Sequence, residues 1–142
     1  MKAREIMTSD VECVTRQDSL TRAAQIMRDS DIGAVPVVED RNSMRLVGVI
    51  TDRDILYRVV AEGRDPRRTP VLQVATRQIF TCGPDDPLES AMNLMASQNV
   101  RRLPVVDEAQ RVIGWLTLSD LSRHLLVESE VVQNALTQIA KT

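Results

Sequence analysis

Apolar residues fall at Leu20, Ala23, Ala24 and Met27, and again at Leu88, Ala91, Met92 and Met95. Both sets keep the i, i+3, i+4, i+7 spacing of one helix face, which predicts helices over residues 19–29 and 87–98. The second opens on "DDPLE", where Asp86 suits the N-cap, Pro87 the first helical position and Glu89 the first turn. Elsewhere the pattern changes to β-type. "AVPVVED" with "RLVGVIT", and "RLPVVDE" with "RVIGWLT", predict two β-hairpins. Shorter apolar runs over 11–14 and 79–81 predict a strand before each helix. A further helix is expected after Thr51 and after Thr117.

That order of elements occurs twice because the chain repeats itself. A shift of 68 residues lays 7–38 on 75–106 without a gap: Thr8 meets Thr76, Asp18 meets Asp86, and Pro36-Val37-Val38 meets Pro104-Val105-Val106. The shift then falls to 66, pairing Gly48 with Gly114, Thr51 with Thr117 and Asp54 with Asp120. The two missing residues lie between the hairpin strands, where a turn absorbs a change of length. We divide the chain into repeat 1 (1–61), a linker (62–70) rich in Arg, Gly and Pro, repeat 2 (71–126) and a C-terminal helix (127–142). That last helix carries Val131, Val132, Ala135, Leu136 and Ile139 on one face, for packing on the pair or on a second copy. Half the chain buries too little surface to fold well alone, so the halves are expected to share a core.

Composition narrows the function. Of 142 residues, 43% are hydrophobic and 27% charged, the profile of a globular protein, while only 2% are aromatic, so Val, Leu, Ile, Met and Ala build the core. A net charge of −2 argues against a nucleic-acid surface. No run approaches the roughly 20 apolar residues of a membrane span, and "MKAREIMTSD" lacks the apolar stretch of a leader. Cys13 and Cys82 sit in no CxxC or Cys/His spacing, so no metal site is expected. They are expected to be small buried residues in a reducing, cytoplasmic setting. His124, beside Arg123 at a helix end, has no partners at a catalytic spacing. No nucleophile, acid/base dyad or metal cluster emerges, which speaks against an enzyme.

The candidate chemistry lies in "GVITDRDI" (48–55) and "GWLTLSDL" (114–121), each Gly, two apolar residues, Thr, two variable residues and Asp. One reading is local: Thr as N-cap and Asp three residues on form a capping box. The other is a ligand site. A carboxylate at a helix start accepts from both hydroxyls of a vicinal diol, beside backbone N–H groups suited to phosphate. The two readings are compatible.

The twofold β-α-β-β-α order, the "PVV" strand and the Gly-h-h-Thr-x-x-Asp ending resemble the cystathionine-β-synthase (CBS) domain. Two in tandem resemble a Bateman module, and "TDRDI", "VVAEGRDP" and "VRRLPVVD" resemble small bacterial stand-alone CBS pairs. The resemblance implies an α+β (α/β) fold in which two pseudo-symmetric repeats pack sheet to sheet into one disc-like module, plus a C-terminal helix. It implies a regulatory module that binds AMP, ADP or ATP, with S-adenosylmethionine or NAD as further candidates. No catalytic cofactor or metal is implied. A homodimer and an unknown regulated protein are the implied partners, without nucleic acid or membrane. The rival reading is an interaction or dimerisation module with no nucleotide.

Carried over by residue, Thr51 and Asp54 contact ribose in one cleft, with Val49, Ile79 and Phe80 at the adenine. Arg101 and Arg102 face phosphate there, with Arg53 as a further candidate. The other cleft takes Thr117 and Asp120, with Trp115, Val11, Glu12, Gly33 and Ala34. On this assignment the Asp54 cleft is the one expected to favour phosphorylated ligands.

Overall fold

The computed structural model describes residues 1–125, 134 and 137–140. Most of the expected C-terminal helix, including Val131, Val132, Ala135 and Leu136, lies outside the described residues. Ile139, in the helical residues 137–140, is exposed.

The elements are β1 (Val14–Thr15), α1 (Leu20–Ser30), β2 (Ala34–Val38), β3 (Leu46–Thr51), α2 (Asp52–Ile55), α3 (Val71–Val74), α4 (Leu88–Gln98), β4 (Arg102–Val106), β5 (Val112–Thr117) and α5 (Leu118–Leu125). A π-helical stretch, Leu56–Val60, extends α2. Helices and hairpins form where the apolar pattern puts them. Both main helices also stop alike: Asp31 and Asn99 take the left-handed conformation at φ 55°, and their N–H groups donate to Met27 O and Met95 O. Short polar residues tolerate that conformation, so the repeat extends to its helix caps.

Four local expectations are revised. The first strand is shorter and later than 11–14, and the stretch 79–81 is not a strand; Cys82 instead makes a single parallel bridge to Val105. Pro87 is extended (ψ 144°) and precedes the helix rather than opening it. Asp86 does not cap α4, because its carboxylate accepts from Gly83 N at 2.8 Å. The freed Leu88 N–H is met by Met1 O at 3.1 Å, a cap supplied from far along the chain.

The chain divides into two compact units whose limits are not those of the repeats. The first is Glu12–Ile79 with Glu108–Val112. The second is Met1–Val11, Phe80–Asp107 and Ile113–Thr142. In the first, β2 lies between β1 and β3, parallel to β1 and antiparallel to β3. Against this sheet pack Leu20, Ala23, Ile26 and Met27 of α1 with Val59, Val71 and Val74. In the second, β4 pairs with β5, and Leu88, Ala91 and Met95 of α4 join Leu103, Val105, Leu116 and Leu121 in the core.

The mismatch of limits has a local cause. Thr76, at the opening of repeat 2, exchanges two 2.9 Å main-chain hydrogen bonds with Val49 of β3. Thr8, its equivalent at the opening of repeat 1, does the same with Trp115 of β5, also at 2.9 Å. Each repeat's opening segment therefore lines the last strand of the other repeat. The bonds at Val49 also explain how Pro36 sits in a central strand. Both main-chain groups of Val49 point to Thr76, so Pro36 and Val49 face each other without hydrogen bonds. The missing N–H of Pro36 then points towards β1, which pairs only with Val37 and Val38.

Candidate functional site

Each Gly-h-h-Thr-x-x-Asp stretch runs from a last strand into a helix, and its glycine admits the opening segment. A Cβ on Gly48 would lie 3.0 Å from the main-chain oxygen of Thr76; one on Gly114 would collide with Met7 Sδ and stand 3.1 Å from Thr8 O. Neither backbone oxygen retreats without losing its strand pairing.

At the first motif the capping box is complete. Asp54 N donates to Thr51 Oγ1 at 3.0 Å, and Thr51 N donates to Asp54 Oδ2 at 3.1 Å. Asp54 is only 7% exposed. The Thr76 hydroxyl, 3.2 Å from both carboxylate oxygens, donates a single proton shared between them. The shared proton engages a lone pair on each oxygen and Thr51 N a second on Oδ2, so of about four acceptor positions the open one is on Oδ1. Arg58 stands nearby, with Nε 4.0 Å from Asp54 Oδ1 and Nη1 donating to Val74 O at 3.0 Å.

At the second motif the same two residue types interact differently. Asp120 N donates to Thr117 Oγ1 at 3.2 Å, while the Thr117 hydroxyl donates to Asp120 Oδ2 at 2.7 Å. Arg123 Nη2 reaches Asp120 Oδ1 at 3.1 Å. This carboxylate, too, receives two donors.

The first unit holds Thr51, Asp54, Arg53, Val49, Ile79, Glu12, Gly33 and Ala34; the second holds Thr117, Asp120, Trp115, Val11, Phe80, Arg101 and Arg102. Arg53 lies with its guanidinium 4.7 Å from the ring centre of Tyr57, a cation–π contact on the exposed side of the helix. Within each unit, local contacts set several of these residues beside their own repeat's motif. Gly33 and Ala34, expected beside Asp120, lie beside the first motif: Ala34 pairs with Thr51, and Gly33 O accepts from Asp52 N at 2.9 Å. Arg101, expected with Asp54, has its main-chain oxygen bonded to Leu118 N at 2.8 Å, just after Thr117. The reason is hairpin geometry. The antiparallel turn sets the start of β2 against the end of β3, and the start of β4 against the end of β5. The residues before each "PVV" must therefore neighbour their own repeat's Thr.

Thr76, Arg58 and Arg123 were missed from the sequence. A signal for Thr76 was present, since the 68-residue shift lays it on Thr8. Among the described residues, no group of three His, Cys, Asp or Glu side chains is placed to hold a metal ion. No described helix is long and apolar enough to cross a membrane.

Comparison with known proteins agrees with the fold. A family model, the CBS domain, matches residues 3–61 and 71–127. Hypoxic response protein 1 of Mycobacterium tuberculosis is 40% identical over 131 residues, 92% of this chain and 89% of that protein. A crystal structure of Hypoxic Response Protein I with two coordinated zinc ions superposes with a TM-score of 0.79 at 38% identity, covering 87% of this chain and 98% of that one. The CBS domain pair of protein MJ0100, solved with 5′-methylthioadenosine and S-adenosyl-L-methionine, gives a TM-score of 0.73 at 27% identity, over 91% and 98% of the two chains.

Proposed function

This chain belongs to the CBS-domain family, carrying two domains in tandem, and from that premise we propose that it is a regulatory module which binds an adenosine-type ligand and conveys its presence to a partner protein. The observation that carries the reading is the repeated carboxylate. Asp54 and Asp120 each stand at a helix start, and among the described residues each receives two donors and keeps acceptor capacity for a ribose hydroxyl. The adenosine ligands bound by the MJ0100 pair support the choice of ligand class.

On this reading Thr51 and Asp54 hold ribose at one site, with Val49 and Ile79 beside the base. Thr117 and Asp120 hold it at the other, with Trp115 and Val11. Arg101 and Arg102, at the start of β4, serve phosphate at the Asp120 site, and this reverses the preference expected from the sequence. Isothermal titration with adenosine, AMP, ATP and S-adenosylmethionine tests the reading. Binding of at least one of them, reduced by one site on Asp54→Ala or on Asp120→Ala and lost when both are changed in a chain that still unfolds cooperatively, is the expected result. No binding of any adenosine compound sinks it.

A second reading, an interaction or dimerisation module without nucleotide, rests on the exposed apolar side chains of Leu56 (55%), Tyr57 (54%) and Val60 (64%), which sit within one helical stretch. Self-association that persists in a chain unable to bind any adenosine compound favours this alternative. Under the first reading a ligand acts only by preferring one of two arrangements of the module or its partner.

A further inference from the structure

The two motif carboxylates are held by different donors. Asp120 is met by the hydroxyl of its own motif threonine and by Arg123 three residues on, both within the same helix start. Asp54 takes its main chain–side chain bond from Thr51 N, but its hydroxyl donor is Thr76, 22 residues away at the opening of repeat 2. Thr76 is well fixed for such a role. Its main chain is bonded twice to Val49, and Gly48 leaves room for that approach. Its branched side chain has few χ1 choices.

Resting on the nucleoside reading above, we propose that Thr76 is a positioning residue for Asp54, and that it sets how strongly the first site selects a ligand with a vicinal diol. One proton from Thr76, shared across both carboxylate oxygens, fixes the rotation of the carboxylate about its Cβ–Cγ bond. The acceptor capacity that remains then presents a fixed geometry to the ligand's hydroxyls. Without that proton the carboxylate is anchored only through Oδ2 by Thr51 N and, more distantly, by Arg58. Ordering it then falls to the ligand, at a cost in affinity. Among the described residues both donors to the Asp120 carboxylate come from its own repeat, so no such dependence is expected there.

The test uses the full chain with the second site silenced by Asp120→Ala, titrated with adenosine and with 2′,3′-dideoxyadenosine. Thr76→Val, which keeps the shape and removes the donor, is expected to weaken adenosine about tenfold and to leave the dideoxy compound unchanged. Thr76→Ser is expected to restore adenosine binding. In the reciprocal Asp54→Ala background, Thr76→Val is expected to change nothing at the second site. Thr76→Ala carries the same expectation should the valine variant lose its fold by melting. Equal weakening of both ligands, or no effect on either, overturns the positioning role and leaves the nucleoside reading standing. Should AMP bind and adenosine not, AMP and its 2′,3′-dideoxy analogue take their place. Failure of the chain with Thr76 and both carboxylates intact to bind any adenosine compound overturns that reading, and this role with it.

Discussion

Gly48 and Gly114 are glycines for reasons of space rather than torsion. Each lies in a strand where an opening segment passes within contact of its Cα, and in both cases the nearest fixed neighbour is a main-chain carbonyl. Gly48→Ala is therefore expected to cost about 2 kcal/mol of stability by overpacking, measurable by urea unfolding. Gly63, with φ 70° and open space around it, is a different case, limited by its backbone conformation alone. The two cysteines are also set by their surroundings. Burial pushes the Cys13 thiol from its ordinary 9.0 up to about 11, partly opposed by the charge of Arg41. Burial, aided by the charge of Asp86, does the same for Cys82. A raised folded-state value favours the neutral thiol in the fold. That contribution is fully present below about pH 9 and is lost as pH rises through 11. Stability to urea is thus expected to fall between pH 9 and 11, and to fall less in Cys13→Ala. Alkylation by iodoacetamide at pH 8 is expected to be slow until the chain unfolds.

At the scale of the element, helix ends carry the argument. Thr51 caps α2 and reaches Asp54 N, so Thr51→Val is expected to cost about 1 kcal/mol even without ligand, and Thr51→Ser much less. This separates its two duties, because a ligand contact shows in affinity and a cap shows in unfolding. Hairpin register carries the other element-scale prediction. It places Arg101 next to the Thr117–Leu118 turn, so Arg101→Ala with Arg102→Ala is expected to weaken AMP more than adenosine. That loss should remain when Asp54 is changed to Ala and vanish when Asp120 is changed. The opposite dependence would restore the pairing first expected from the sequence. The antiparallel register by itself sets Gly33 beside Asp52 and Arg101 beside Leu118, which is the ground for proposing the Asp120 site instead.

For the whole molecule, the exchange of opening segments decides what counts as a folding unit. Residues 1–68 and residues 12–79 are fragments of equal length, each holding α1 and the β2–β3 hairpin. Only the second includes Val74 and Thr76, with the bonds to Arg58, Asp54 and Val49. Fragment 12–79 is expected to show the steeper urea transition by circular dichroism, though a chain so short remains marginal. Equal behaviour of the two would mean that the exchanged segment adds little.

The sequence by itself determined the repeat, the helices and hairpins within it, and the paired Thr and Asp positions. Those features follow from local periodicity and from self-similarity, and both are properties of short stretches. Tertiary structure alone decided which opening segment lies against which last strand, since the repeats are alike enough that either pairing satisfies the same local pattern. It also decided that Asp86 turns to Gly83 while Met1 caps α4, and that Asp54 is held by a hydroxyl from the other repeat. Those choices depend on contacts between residues far apart along the chain; the 68-residue shift marks Thr76 as a repeated position but not the partner it takes.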